Sequence, residues 1–132
     1  MIIARNDKEI TVRIPDRIGI MGEVSRIVAD RGFSIIAANG TVNRGTCTLR
    51  MITDDNVRAC EALVRENFDA IMEDVVVSEM PNRPGILKRV TQILAQENIL
   101  LERLYFSSSH DQQICNVVLN SNNDVRALVL LN

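Results

Sequence analysis

The sequence predicts an α+β fold made of two related halves. A phrase of seven residues, Pro15–Met21, occurs again 66 residues later as Pro81–Leu87. The similarity continues along the chain, where Asp54–Ala59 matches Asn122–Ala127 at an offset of 68 residues. In each copy an alternating apolar pattern, typical of a strand, precedes the phrase, and an amphipathic helical pattern follows it. Two copies are too few for a solenoid, so we interpret the chain as a fused pair of small domains.

The first half is predicted to have the order strand, helix, strand, strand, helix. Ile10, Val12 and Ile14 alternate with polar residues, which predicts a strand with one buried face. The apolar stripe after it stops before a glycine at position 32, which predicts a helix from about Gly19 to Arg31. The other predicted elements of this half are a hairpin with strands Phe33–Val42 and Cys47–Met51, and a helix that begins after Thr53–Asp55.

The second half repeats this order. The segment from Phe68 to Met80 has to serve both halves, with residues 69–72 closing the first and residues 74–80 opening the second. The other predicted elements are a helix from Gly85 to about Gln96, strands Ile99–Ser107 and Ile114–Asn120, and a helix from about Asn123. Elements in this order form the ferredoxin-like βαββαβ pattern, an antiparallel sheet with helices on one face.

These elements divide the chain into repeat 1, residues 1–72, and repeat 2, residues 73–132. Repeat 2 ends before its last strand, so we expect one of its inner strands to have an unpaired edge. Three partners are candidates for that edge: the N-terminal segment Met1–Ile3, the segment Asp69–Met72, and another subunit.

Composition restricts the class of protein. The 132 residues are 46% hydrophobic and 24% charged, which is ordinary for a globular chain with a core. The net charge of −2 and the 3% aromatic content give no basic surface or stacking platform for a nucleic acid. No apolar run has the length of a membrane span, and no signal peptide is recognisable, so we expect a cytoplasmic protein. Cys47, Cys60 and Cys115 lack metal-type spacing and are expected to be reduced core residues.

The sequence also offers little catalytic chemistry. Its single histidine, His110, lies in a polar segment that we interpret as a solvated hairpin tip. A serine, a histidine and an aspartate adjacent in one loop do not form a triad, which is defined by geometry around a buried, oriented base. The acidic pairs Asp54–Asp55 and Glu73–Asp74 are better explained by a helix start and a strand junction than by a metal. We therefore expect no enzyme activity, no metal and no cofactor.

The doubled phrase resembles the signature of ACT domains, Asp/Asn-Arg-Pro-Gly-x-Leu. Asp16-Arg17-Ile18-Gly19-Ile20 matches it in repeat 1, and Asn82-Arg83-Pro84-Gly85-Ile86-Leu87 matches it in repeat 2. The resemblance covers nearly the whole chain, which looks like a small tandem-ACT protein. It implies paired ACT sheets in a homodimer, a small effector, commonly an amino acid, bound near the first turn, and no catalysis. Ile18 departs from the signature, because the family has proline at that position.

The candidate ligand-binding residues lie in and near these two turns. Backbone N–H groups at a helix start favour a carboxylate, and glycine lets the backbone approach a ligand. Asp16 or Asn82 has groups for an α-ammonium, although both residue types also fix turns and cap helices without any ligand. In ACT domains that bind serine, a polar residue early in the second strand contributes, and Ser34 matches it. The candidate residues are Asp16, Arg17, Ile18, Gly19, Ile20, Met21 and Ser34 in repeat 1, and Asn82, Arg83, Pro84, Gly85, Ile86 and Leu87 in repeat 2.

Two functions are compatible with this pattern. The first is a regulatory or sensor protein that binds a small amino acid at an ACT–ACT interface and changes how subunits pack. The second is an interaction subunit without a ligand, which docks on a metabolic enzyme through the unpaired edge of repeat 2. The two repeats differ at several of these positions, so one of them could serve as scaffold only.

Overall fold

The structure, a computed structural model, describes residues 1–107 and 112–132. Within these ranges it contains six strands and four helices. In chain order they are β1 (Ile3–Pro15), α1 (Ile20–Asp30), β2 (Ile35–Asn43), β3 (Thr46–Thr53), α2 (Asn56–Arg65), β4 (Ala70–Pro81), α3 (Ile86–Gln96), β5 (Leu101–Ser107), β6 (Ile114–Ser121) and α4 (Asp124–Leu131). The chain forms two compact units, Lys8–Glu73 and a second one that combines Met1–Asp7 with Asp74–Asn132. We call them the 8–73 unit and the 74–132 unit.

The 8–73 unit is a βαββαβ fold. β3 pairs antiparallel with β1 on one side and with β2 on the other, with Leu49 opposite Val12 and Gly40. The last strand is the beginning of β4, and just before it the Asp69 carbonyl accepts a hydrogen bond of 3.1 Å from the Arg13 N–H. Both helices cover one face of these strands, because side chains of both belong to the same core cluster. Its members include Ile10, Val12, Ile14, Val24, Val28, Cys47, Leu49, Met51 and Leu63.

The 74–132 unit has the same order of elements. β6 pairs antiparallel with β4 and β5, so that Cys115 is opposite Met80 and Val117 is opposite Phe106. Its helices α3 and α4 also share one core cluster with the strands. The members of this cluster include Ala4, Val76, Met80, Val90, Leu94, Cys115, Val117, Leu119, Ala127 and Leu131.

The fourth strand position of the 74–132 unit is filled by the beginning of β1. β1 is a hydrogen-bonded neighbour of β4, and its residues 3–7 belong to this unit. The Asn132 side chain holds this segment from α4: its Oδ1 accepts from the Ala4 N–H at 2.9 Å, and its Nδ2 donates to the Ala4 carbonyl at 3.0 Å. The edge that the sequence analysis left open is thus occupied by the N-terminal segment, the first of its three candidates.

The α+β fold class and the βαββαβ order are confirmed, and helix boundaries agree within one or two residues. The beginning of β1 is different: the alternating pattern indicated a strand from Ile10, whereas β1 begins at Ile3. Residues 6–9 are polar and carry no apolar alternation, so no local pattern predicts this part of the strand. The repeated pattern predicts repeat 1 over residues 1–72, whereas the structure groups residues 1–7 with residues 74–132. β4 is one continuous strand that serves both repeats.

Three further observations concern the sequence expectations. Cys47, Cys60 and Cys115 are buried free thiols, as expected for core residues. His110 lies outside the described residues. In the part of the chain that the structure describes, no helix combines the length and the apolar character needed to cross a membrane.

Candidate functional site

The repeat-2 turn, Asn82–Leu87, is fixed to the β5–β6 hairpin by its own backbone and side chain. The Asn82 N–H donates to the Gln113 carbonyl at 2.8 Å, and its Nδ2 donates to the Gln112 carbonyl at 3.1 Å. Gly85 then adopts φ 86° and ψ −4°, a left-handed conformation that favours glycine, and α3 begins directly after it. Asn82 therefore has a structural role in this turn.

The N-terminus of α3 carries no side-chain cap, and the same is true of α1. By contrast, Asp55 caps α2 by accepting from the Arg58 N–H, and Asn123 caps α4 by accepting from the Arg126 N–H. The first N–H groups of a helix have no partner within the helix, and they attract anions when a side chain does not cap them. Among the four described helices, the two that follow the repeated phrase are thus the ones whose N-termini no side chain caps.

A cleft of about 150 Å³ lies beside the repeat-2 turn. Its polar rim is formed by Asn82, Arg83 and Gly85, and its apolar wall by the first residues of α3 and by the paired strands β5 and β6. The apolar residues are Ile86, Leu87, Phe106, Cys115 and Val117. Phe106 and Val117 are directly opposite in the β5–β6 ladder, so their side chains lie on the same face of the sheet. A small molecule with one anionic end and one apolar end matches this lining.

The charged side chains that the structure describes at the start of α3 are positive. The first turn of α3 has no acidic residue, and Arg83, Lys88 and Arg89 stand at or near its start. None of these three side chains forms an ion pair with a residue in the described ranges 1–107 and 112–132. Because the helix N-terminus is itself partly positive, the cleft favours a carboxylate over a neutral or cationic group.

The repeat-1 turn, Asp16–Met21, has the same backbone but different electrostatics. The Asp16 N–H donates to the Gly45 carbonyl at 2.8 Å, and Gly19 adopts φ 82° before α1 begins. Here, however, the Arg17 guanidinium pairs with the Glu23 carboxylate in the first turn of α1. Arg89 occupies the position of Glu23 in repeat 2. The repeat-1 turn is therefore locally neutralised by its own side chains, whereas the repeat-2 turn is not.

The space beside the two turns also differs. At the repeat-1 position that corresponds to Phe106 stands Gly40, which is opposite Leu49 in the ladder as Phe106 is opposite Val117. The tip of the Met21 side chain packs directly on Gly40: a Cβ at residue 40 would lie 2.7 Å from both the sulfur and the methyl carbon of Met21. The Met21 side chain thus extends from the helix to the strand, and its tip lies where the Phe106 side chain begins in repeat 2.

The structure separates Ser34 from the other repeat-1 candidates. Pro15, just before the turn, is opposite Thr46 at one end of β3, whereas Ile35, just after Ser34, is opposite Thr53 at the other end. The length of β3 places the two positions roughly 20 Å apart. The Ser34 N–H donates to the Asp54 side chain at 3.0 Å, and its carbonyl accepts from the Asp54 N–H. Ser34 and Asp16 of one chain therefore do not form one site, and Ile18 is fully exposed.

Three cleft residues were not among the sequence candidates: Phe106, Cys115 and Val117. The repeat is the sequence signal that could have indicated them, because Cys115 corresponds to Cys47 at the same offset of 68 residues that relates Asn122–Ala127 to Asp54–Ala59. Burial raises the pKa of the Cys115 thiol, so the cleft wall is apolar at neutral pH. Within the ranges 1–107 and 112–132, no group of three or more histidine, cysteine or acidic residues is arranged to hold a metal.

Comparison with known proteins supports this fold. No protein-family model matches the sequence, and no curated protein matches it significantly. Among solved structures, protein BT0572 from Bacteroides thetaiotaomicron superposes with a TM-score of 0.86 at 26% identity, over 97% of this chain and 88% of that one. The ligand-free regulatory subunit of aspartate kinase from Thermus thermophilus gives a TM-score of 0.69 at 19% identity, over 97% and 93%.

A second regulatory subunit of aspartate kinase, from Thermus flavus, gives a TM-score of 0.61 at 19% identity, over 98% of this chain and 94% of that one. At these identities the two kinase subunits show a shared fold. The chain therefore shares the ferredoxin-like fold of these subunits, and the likeness extends over both of its units.

Proposed function

We propose that this chain is a non-catalytic regulatory protein that binds a small amino acid in the cleft beside the repeat-2 turn. The observation that carries the proposal is the cleft itself, with an uncapped helix N-terminus and Arg83 at one end and an apolar wall at the other. The α-carboxylate would bind at the helix start, and the side chain would contact Phe106 and Val117. Neighbours of the same fold that are named as regulatory subunits support the regulatory part.

The size of the cleft favours a small ligand. A volume of about 150 Å³ equals that of a cavity that accommodates benzene. Glycine, alanine, serine and cysteine are of this size, whereas the side chains of arginine, lysine or tryptophan would have to extend into solvent. Positive charge at the rim also disfavours lysine and arginine. The expected effectors are therefore small neutral amino acids.

The interface of a homodimer is the proposed setting of this site. β5 pairs with β6 on one side, and its other edge is free of described strands. Phe106 lies on β5 with 52% of its surface exposed, so a second copy pairing along β5 would cover it and close the cleft. Binding would then change the dimer equilibrium through its different affinity for open and closed clefts.

The alternative of a ligand-free subunit docking on a metabolic enzyme has lost the feature that suggested it. That feature is an unpaired inner strand in repeat 2, and the beginning of β1 lies beside this strand. Amino-acid binding therefore has the stronger structural support.

Isothermal titration calorimetry with each of the twenty amino acids tests the proposal, with two matched variants. Arg83→Ala and Arg17→Ala remove exposed arginines at equivalent positions of the two repeats. We expect at least one small neutral amino acid to bind, Arg83→Ala to weaken it by roughly tenfold as a charge-assisted hydrogen bond is lost, and Arg17→Ala to leave it unchanged. If none of the twenty produces heat or thermal stabilisation, the proposal is wrong.

A further inference from the structure

The two repeats share a backbone but differ in what occupies the space between the helix start and the hairpin. In repeat 2 this space is the cleft lined by Leu87, Phe106 and Cys115. In repeat 1 the equivalent residues are Met21, Gly40 and Cys47, which follow from the offsets and from the matching ladder registers. The exchange of Phe106 for Gly40 removes a ring from the strand, and the Met21 side chain lies where that ring would begin.

We propose that Met21 is a built-in occupant of the repeat-1 site, so that each chain binds one ligand, in repeat 2 only. The part concerning the ligand rests on the function proposed above, whereas the difference in access does not. A methionine fits this role because its unbranched, flexible side chain fills irregular gaps. Met21 belongs to the packed surroundings of the repeat-1 core, which includes Cys47 and Leu49.

The charges point in the same direction. In repeat 1 the Arg17–Glu23 pair places a carboxylate in the first turn of α1, where it competes with any incoming carboxylate. Asp16 adds a second acidic group. Burial of the Cys47 thiol is the larger cause of its raised pKa, and the negative charge of Asp16 raises that pKa further. In repeat 2 the corresponding positions are Arg83, Arg89 and Asn82. Both sterics and electrostatics thus close the repeat-1 site and open the repeat-2 site.

The equivalent cysteines provide a test that needs no ligand. The native protein is treated with methyl methanethiosulfonate, a small thiol reagent, and the labelling of Cys115, Cys47 and Cys60 is followed by peptide mass spectrometry. Cys115 lines the cleft, so we expect it to react roughly tenfold faster than Cys47 in the wild-type chain. Met21→Ala should raise the Cys47 rate toward that of Cys115.

Cys60 controls for unfolding, since it belongs to the same core cluster as Cys47, and its rate should not change in the variant. Leu87→Ala is the matched substitution in repeat 2 and should raise only the Cys115 rate. If Met21→Ala accelerates Cys60 equally, Gly40→Ala replaces it, because the added Cβ displaces the Met21 tip without removing a side chain. The inference is overturned if Cys47 and Cys115 react at equal rates in the wild-type chain. It is also overturned if neither Met21→Ala nor Gly40→Ala changes the Cys47 rate.

A second experiment tests the ligand, with an equimolar mixture of glycine, L-alanine, L-serine and S-methyl-L-cysteine added to protect the cysteines from the reagent. Protection of Cys115 alone in the wild-type chain, and of both Cys47 and Cys115 in Met21→Ala, supports one site per chain. Protection of both cysteines in the wild-type chain contradicts it. If neither is protected while the rates still differ, the access difference stands and the proposed amino-acid function fails, so the two failures are distinguishable.

Discussion

Replacing Asn132 with alanine should loosen the segment of β1 that completes the 74–132 unit. The Asn132 side chain makes two hydrogen bonds with the Ala4 backbone, and its Nδ2 also donates to the Leu128 carbonyl at 2.9 Å. A net contribution of about 1 kcal/mol per hydrogen bond sets an upper value of about 3 kcal/mol. Asn132 is exposed and water can replace part of these bonds, so we expect a loss of about 1–2 kcal/mol.

Urea denaturation followed by circular dichroism measures this loss. With a dependence of about 2 kcal/mol per molar urea, the midpoint for the 74–132 unit should fall by about 0.5–1 M. Hydrogen exchange adds a local measurement, because the Ala4 amide should exchange roughly tenfold faster in the variant. Asn132→Asp retains an acceptor for the Ala4 N–H but cannot donate to the two carbonyls, so it should be no more stable than Asn132→Ala at neutral pH. An unchanged midpoint together with unchanged Ala4 exchange would refute this account of the segment.

Three further predictions concern the turns and the cleft. Gly85→Ala should destabilise the chain by about 1–2 kcal/mol in thermal melts, because Gly85 has φ 86°, a conformation that alanine adopts only with strain. An added Cβ would meet no atom within 4 Å, so the backbone conformation alone is the expected cause of this loss, and a loss below about 0.5 kcal/mol would contradict it. Gly40→Ala should destabilise the chain when Met21 is present and become neutral or stabilising in Met21→Ala, a coupling of about 0.5–2 kcal/mol that a double-mutant cycle measures; simple additivity would contradict their packing. Because burial raises the pKa of the Cys115 thiol, its labelling rate should continue to rise with pH above the point where an ordinary cysteine levels off; a plateau at ordinary pH would contradict this.

The elements of this fold were predictable where the hydrophobic pattern is local. Ile10, Val12 and Ile14 alternate in the sequence, and they line one face of β1 in the core. The repeated phrase likewise predicted two glycine turns that lead into helices, and Gly19 and Gly85 both have the left-handed conformation.

What was not predictable depends on distant partners. The beginning of β1 has no apolar alternation, and it is a strand because β4 and Asn132 offer hydrogen bonds from far along the chain. Nothing in the sequence distinguishes Gly40 from other glycines in strands, and only the structure reveals that the Met21 side chain packs on it. The cleft in repeat 2 depends on the same kind of tertiary information, since Phe106 and Val117 come from different strands.

Crystals of the chain grown with a mixture of glycine, L-alanine and L-serine test the central claim most directly. We predict ordered density for one amino acid in the cleft beside Gly85, with its carboxylate toward the start of α3, and none beside Gly19, where Met21 remains on Gly40. A ligand at the Gly19 turn, or an empty repeat-2 cleft at saturating amino acid, would contradict the account.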